Sequence, residues 1–189
     1  MIAPHEQSLS GPAADFGATL RAALPVLETK RLRLRAPRIE DFEAYAQIAT
    51  SPRGSFILDE PTREAAWFDF AHMTATWLLR GHGLWAVEMK ASEDLLGFVL
   101  LGFEPGDHEP ELGYMFLPAA EGQGFAAEAA AAAKAHGLAV LPSLVSTIDY
   151  DNVRSIALAE RLGGVRDRAA EAAHDHAIQV YRYAKGDLQ

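Results

Sequence analysis

The stretch from Pro118 to Ala129 reads P-A-A-E-G-Q-G-F-A-A-E-A and holds the residues best suited to chemistry. Gly122 and Gly124 stand between an apolar run that ends at Leu117 and an alanine-rich run that begins at Ala126. Glycines at such a junction let the backbone turn and approach a ligand closely. A helix that starts there offers unpaired amide donors and the positive end of its dipole, so an anion such as a pyrophosphate is favoured. The small side chains of Ala126 and Ala127 leave the first turn unobstructed. On these residues alone, a glycine-assisted helix start with no ligand remains the plainer alternative.

Other chemistries fit the residues less well. Gly122 to Ala127 also satisfies G-x-G-x-x-A, with Asp149 about 20 residues further on, as in a dinucleotide fold. That fold needs a buried parallel strand running straight into the first glycine, whereas Pro118, Ala119, Ala120 and Glu121 intervene here, and only about 65 residues follow. There is no G-x-x-x-x-G-K-[ST] loop and no G-x-S-x-G elbow to present a serine nucleophile. The chain has no cysteine, which excludes thiolate metal sites, disulfides and a cysteine nucleophile. His174, Asp175 and His176 form a histidine pair without an evident third ligand and read as a solvated turn; Asp107, His108 and Glu109 read as a polar loop. No metal is expected.

The elements that must position the glycine loop follow from pattern. Leu32, Leu34 and Ala36 alternate with Arg31, Arg33 and Arg35, which predicts a half-buried strand in the segment opening at Leu27. Helices are predicted over 38–49 and from Thr62 or Arg63 to Arg80, the second capped by Thr62 and stopped by Gly81. Trp67, Phe68, Phe70 and Trp77 on that helix read as core, the alternative being a substrate-facing wall. Strands are predicted over 84–89, 95–103 and 111–117, in an antiparallel meander. Eight alanines in the ten positions from Ala126 to Ala135 predict a helix, with Gly137 as its stop. A strand over 143–149, a helix over 153–162 capped by Asp151 or Asn152 and stopped by Gly163, and strands near 165–168 and 178–184 complete the chain. The whole is a single α/β domain around one mixed sheet.

Composition agrees with that size and class. With 189 residues, 49% of them apolar and 23% charged, the chain is an ordinary globular protein with a core of its own. A formal charge of −9 argues against a nucleic-acid surface. No apolar run approaches the ~20 residues needed to cross a bilayer, and Met1 to Ser10 do not read as a signal peptide, so a cytoplasmic location away from membranes is expected. Residues 1–25, rich in proline and glycine, read as an arm outside the core fold with a short helix over Ala18 to Leu24. It is either a poorly ordered tail or a segment that docks on a partner subunit or on its own core.

Three ordered motifs together resemble the GNAT acetyltransferase superfamily, and within it the ribosomal-protein N-terminal acetyltransferase subfamily. They are L-E-T-K-R-L-R-L-R from Leu27, E-L-G-Y-M-F from Glu111 followed by G-Q-G-F-A-A-E-A from Gly122, and D-N-V-R-S-I-A-L-A-E-R-L-G from Asp151. The resemblance spans residues 27 to 184 and assigns 26–186 to the acetyltransferase domain. It implies a mostly antiparallel sheet with helices on both faces, and acetyl-coenzyme A as co-substrate. The coenzyme pyrophosphate would lie on the amides of Gly122, Gln123, Gly124, Phe125 and Ala126. The pantetheine arm would pair with the strand end near Phe116 and Leu117, and Asn152 and Ser155 would face the coenzyme. Three positions depart from the superfamily pattern: Ala119 where Arg or Gln is common, Ala159 where many members carry a tyrosine acid, and Gly164 in place of a phenylalanine. The last is expected to leave a hole in the packing or a looser turn.

The implied reaction passes an acetyl group from the thioester to a primary amine, either a peptide N-terminus or a small molecule. A lysine amine (pKa ~10.4) is only ~0.1% neutral near pH 7.5, whereas an α-amine (pKa ~7.8) is about a third neutral. The first therefore needs strong general-base help and the second much less. Glu111 is the expected base, because its strand runs past the implied reaction centre and burial would raise its pKa. Asp149 is the second choice. A backbone amide near Phe116 would meet the oxyanion, and Ser155 would donate to the leaving thiolate. The expected partners are an amine acceptor and, at most, a second copy of the chain, as a monomer or homodimer. The alternative is a non-catalytic acyl-coenzyme A sensor or interaction module.

Overall fold

The computed structural model of the protein describes residues 3–52, 54–174 and 177–185. Among them, the strands β1 (Leu27–Glu28), β2 (Leu32–Arg35), β3 (Leu84–Met89), β4 (Leu95–Gly102), β5 (Glu111–Phe116), β6 (Val145–Asp149), β7 (Val165–Arg166) and β8 (Ile178–Arg182) form one sheet. Their order across it is β1-β2-β3-β4-β5-β6-β8-β7. Neighbours are antiparallel except β5 and β6, which run parallel. The helices are α1 (Pro12–Ala22), α2 (Phe42–Ala49), α3 (Arg63–Arg80), α4 (Phe125–Val140), α5 (Val153–Arg161) and α6 (Arg168–Glu171).

Side-chain alternation along the strands sorts the helices onto two faces. On one face, Leu34, Val87, Val99, Leu101 and Leu112 pack against Phe125, Ala129, Ala130 and Ala133 of α4. Ile148 and Tyr181 meet Ile156 and Ala159 of α5 on the same side. On the other face, Ala86, Phe98 and Met115 pack against Phe42, Tyr45, Phe70 and Met73 of α2 and α3. Val145, Ile178 and Val180 meet Ala170 of α6 there. The result is one α/β unit with a mixed, mostly antiparallel sheet and helices on both faces.

Several elements start and stop for the reasons legible in sequence. The Thr62 side chain accepts the Ala65 N–H at 3.1 Å and Gly81 closes α3 in the left-handed region, at φ 76°. Phe70 and Trp77 of this helix are buried, Trp67 is half-buried, and Phe68 is 64% exposed, so the aromatic set divides between core and surface.

Other expectations need correction. The segment from Leu27 is a hairpin of two short strands, Leu27 opposite Leu34. Arg35, predicted on the solvent side, is buried at 7% exposure: its Nη atoms bond Asp41 at 2.7 and 2.8 Å and its Nε bonds Glu88 at 2.5 Å. Removing one member of such a buried set costs about 3–5 kcal/mol, because the remaining charges stay desolvated.

Gly137 does not stop α4. It lies inside the helix, and a Cβ there would stand 3.2 Å from Leu101 and Leu144 side chains, so this glycine serves close packing. Gly164 leaves no hole: a Cβ would meet the Ala159 carbonyl at 2.9 Å and the Tyr183 ring at 3.1 Å. The arm helix is longer than predicted and begins with Pro12 at its first position, but none of its residues is buried. Ahead of it, Glu6 accepts from Nε and Nη2 of Arg63 of α3, both at 2.9 Å. The short α6, capped by Asp167 accepting the Ala169 and Ala170 N–H groups, was not visible as a period.

Candidate active site

The parallel neighbours β5 and β6 touch at one register pair, Glu111 with Val145, and then diverge. The Val145 N–H donates to the Pro110 carbonyl at 3.0 Å. One step on, the backbone ladder has given way to a side chain, the Ser146 hydroxyl, which donates to the Leu112 carbonyl at 2.7 Å. Because backbone groups alternate in direction along a strand, the N–H and C=O of Tyr114 and Phe116 point the same way as those of Leu112, into the opening. Leu117 points the other way. Its N–H donates to Leu96 and its carbonyl accepts from Ala120, both at 2.9 Å, so its backbone groups are already engaged. The exposed polar edge of the cleft is therefore that of Tyr114 and Phe116.

The glycine loop closes the wide end of this cleft. After a 3-10 turn over Pro118–Ala120, Gly122 and Gly124 take φ of 73° and 78°, a region that L side chains avoid. A Cβ at Gly122 would meet nothing within 4 Å, so the loop opens onto free space. Gly124 is the N-cap of α4, and Phe125, Ala126 and Ala127 supply amides that the helix itself leaves unpaired. Gln123 folds back, its amide nitrogen donating to the Ala119 carbonyl at 2.9 Å. Arg31, from the hairpin between β1 and β2, braces the loop. It bonds Glu128 at 2.7 Å and the Gln123 carbonyl at 3.0 Å, and lies over the Phe125 ring at 4.4 Å.

Across the cleft, Asn152 caps α5 by accepting the Ser155 N–H at 3.2 Å, which spends its side-chain oxygen and leaves its NH2 group. Ser155 is half-buried in the first turn. The hydroxyl of Tyr114, on β5, donates to the Ser155 carbonyl at 2.9 Å and ties α5 to the far side of the opening. Burial first, and the nearby Tyr183 second, hold the Tyr114 hydroxyl well above the usual tyrosine range, so it stays protonated.

Glu111 lies on the opposite face of the sheet from Ser155, since it shares the period-two face of Met115. It lines a cavity of about 330 Å³ together with Asp107, Thr147, Ala170, His174 and Arg182. Burial, then repulsion from Asp107 and Glu104, pushes the Glu111 carboxyl up to about 8, against the pull of a bond from the Thr147 backbone. The other acids of this cavity differ. Glu109 takes both Arg182 Nη groups at 2.6 Å and is held below the usual range by that pair. Asp167 is lowered by the Ala170 N–H and by Arg182. Arg182 is thus occupied, and Glu111 faces the cavity with no cation among the causes acting on it.

The remaining candidates are placed as follows. Asp149 is an exposed strand-end residue whose Oδ1 accepts the Asp151 N–H at 2.7 Å, a turn contact. His174 packs edge-on to His108 with ring centres 5.5 Å apart, while Asp175 and His176 lie outside the described residues. Among the described residues no group of three or more His, Asp or Glu could hold a metal ion, and no helix is long and apolar enough to cross a membrane. Sequence reasoning missed Arg31 and Tyr114. Tyr114 sits two residues from both Leu112 and Phe116 and could have been found from strand period alone; Arg31 meets the loop only through tertiary contacts.

An opened parallel pair ending in an anion-ready glycine loop makes a cleft suited to an extended ligand that carries phosphate. The acetyltransferase (GNAT) domain family matches residues 31–165. The crystal structure of an acetyltransferase from Agrobacterium tumefaciens str. C58 is 35% identical with a TM-score of 0.79, over 86% of this chain and 95% of that one. The chain belongs to the GNAT acetyltransferase family, whose fold supports acetyl transfer from acetyl-coenzyme A to an amine.

Two more distant structures share the fold. A spermidine N-acetyltransferase from Vibrio cholerae in complex with CoA and spermine is 18% identical, TM-score 0.62, over 82% of this chain and 94% of that one. The ribosomal L7/L12 α-N-protein acetyltransferase RimL, in complex with coenzyme A, is 19% identical, TM-score 0.63, over 84% and 97%.

Proposed function

We propose that this protein, through residues 26–186, transfers the acetyl group of acetyl-coenzyme A to a primary amine by direct attack on the thioester, as a member of the ribosomal-protein N-terminal acetyltransferase subfamily. Residues 1–25 form an arm outside that domain. The observation that carries the reading is the divergence of β5 from β6 after a single register pair, with the glycine loop at its open end.

In this reading the loop amides from Gly122 to Ala126 hold the pyrophosphate, and the free backbone edge of Tyr114 and Phe116 pairs with the pantetheine amides. A backbone N–H of β5 near Phe116 that the pantetheine leaves free meets the oxyanion as it develops, which is worth more in the transition state than before it. The Ser155 hydroxyl donates a hydrogen bond to the departing thiolate, and Asn152 holds the turn that presents it. The amine approaches from the other face, past Glu111. A carboxyl raised to about 8 is a competent proton acceptor near neutral pH, and an incoming ammonium lowers that value, so binding the cation itself releases the proton from Glu111.

The test is a turnover assay that follows free thiol from acetyl-coenzyme A against a panel of peptide N-termini, polyamines and amino sugars, with mass spectrometry of the products. Acceptor-dependent thiol release with an acetylated amine is expected. Coenzyme binding without turnover on any amine would replace this reading with that of a sensor.

A further inference from the structure

The glycine loop is flanked by two arginines from distant parts of the chain, in a protein whose formal charge is −9. Arg31 is fixed in place by Glu128, the Gln123 carbonyl and the Phe125 ring. Arg154 is held quite differently. It lies in the first turn of α5 with a side chain 69% exposed, and its Nη1 meets Glu121 Oε2 at 2.8 Å. Glu121 immediately precedes Gly122, so this ion pair joins the lip of the cleft that carries α4 to the lip that carries α5.

A ligand whose phosphates sit on the loop amides must come up against this pair. A solvent-exposed Arg–Glu contact is a weak tie, because water and salt screen it and both side chains lose freedom in making it. A phosphate offers the same guanidinium more negative charge and a bidentate geometry. Left in place, the Glu121 carboxylate would instead face an incoming phosphate as a like charge.

We propose that Arg154 is a phosphate ligand of the coenzyme, parked on Glu121 in the free protein and handed over to the phosphate on binding. The proposal rests on the acetyltransferase reading and adds a binding residue to it. Glu121 then acts as a competitor for the guanidinium: it weakens binding by the strength of the pair that has to be broken, and it keeps the cleft lips together when no phosphate is present. The partner is a phosphate of the coenzyme, either the pyrophosphate or the 3′-phosphate of the ribose.

Calorimetric titration of coenzyme A tests this with Arg154→Gln, Glu121→Gln and the double variant, all at exposed or half-exposed side chains, with circular dichroism to check the fold. Arg154→Gln is expected to weaken binding about tenfold. Glu121→Gln is expected to tighten it about two- to fivefold, the worth of an exposed pair. Glu121→Gln should tighten binding more in the wild-type background than beside Arg154→Gln, because only the wild type has the pair to break, while the like-charge repulsion is relieved in both. Repeating the series with 3′-dephospho-coenzyme A separates the two phosphates: loss of the Arg154→Gln effect assigns the 3′-phosphate, and its persistence assigns the pyrophosphate. Wild-type binding that neither substitution changes, or a weaker Glu121→Gln, would overturn the proposal and leave the acetyltransferase reading intact. A wild-type protein that binds no coenzyme would overturn both.

Discussion

The Tyr114 hydroxyl donates to the Ser155 carbonyl at 2.9 Å, and this bond crosses the gap that opens between β5 and β6. It fixes the first turn of α5, and with it the serine hydroxyl, relative to the free backbone edge of Phe116. A strand residue therefore sets the position of a helix residue on the other lip of the cleft.

Ser155→Ala should lower kcat by about 10- to 100-fold while changing coenzyme affinity little, because a hydrogen bond to a developing thiolate matters mainly in the transition state. Single-turnover rates beside calorimetric Kd values make the comparison. Tyr114→Phe keeps Ser155 but removes its anchor, and should cost about 1 kcal/mol, or a few degrees of Tm, in addition to a smaller loss of rate. Wild-type turnover in Ser155→Ala would remove the serine from the mechanism.

Gly124→Asp should abolish measurable coenzyme binding with the fold intact. Its φ of 78° costs an L residue about 1–2 kcal/mol, less for aspartate, and the new Cβ would stand 3.6 Å from Arg31, so the folded state tolerates it. The carboxylate, however, occupies the mouth of the phosphate loop. Calorimetry beside thermal unfolding checks both halves of the expectation; undiminished affinity would place the coenzyme elsewhere.

Glu111 carries a pH signature in both stability and rate. Its folded-state value of about 8 lies above the ordinary glutamate value of 4.5, so between those values the native state holds a proton that the unfolded chain has released. Stability therefore falls as pH rises from about 4.5 to 8 and levels off above, by an amount on the order of a few kcal/mol. Glu111→Gln should lose that slope and be more stable than wild type at pH 8, with little difference at pH 4.5. In the rate, once the acceptor's own titration is divided out, kcat/KM of the wild type should climb toward an apparent pKa near 8, and the variant should lack that limb. Chemical denaturation across pH and a kcat/KM profile supply the two readouts.

Acceptor choice reports how strong that base is. Two peptides of matched sequence, one with a free α-amine and one with only a free lysine, should differ in kcat/KM at pH 7 in favour of the α-amine, with the gap narrowing toward pH 9. The two reference pKa values lie ~2.6 units apart, roughly 3.5 kcal/mol of deprotonation free energy. Preference for the lysine peptide at pH 7 would mean that Glu111 supplies that difference in full.

The sequence by itself determined the local elements and the three motifs. Thr62 and Gly81 bound α3, Asn152 caps α5, and Gly122 and Gly124 take the left-handed conformations that only a glycine adopts without strain. These are short-range effects of backbone sterics and capping, and residue type alone sets them. Tertiary structure decided what alternation and composition could not. Arg35 lies buried because Asp41 and Glu88 come from elsewhere to neutralise it. Gly137 continues α4 because Leu101 and Leu144 leave no room for a Cβ. Glu111 is raised because a loop and α6 close over it, and Arg31 and Arg154 reach the glycine loop from 91 residues before and 32 residues after Gly122. Burial, charge pairing and the spreading of β5 from β6 depend on which distant segments meet, and no local pattern encodes that.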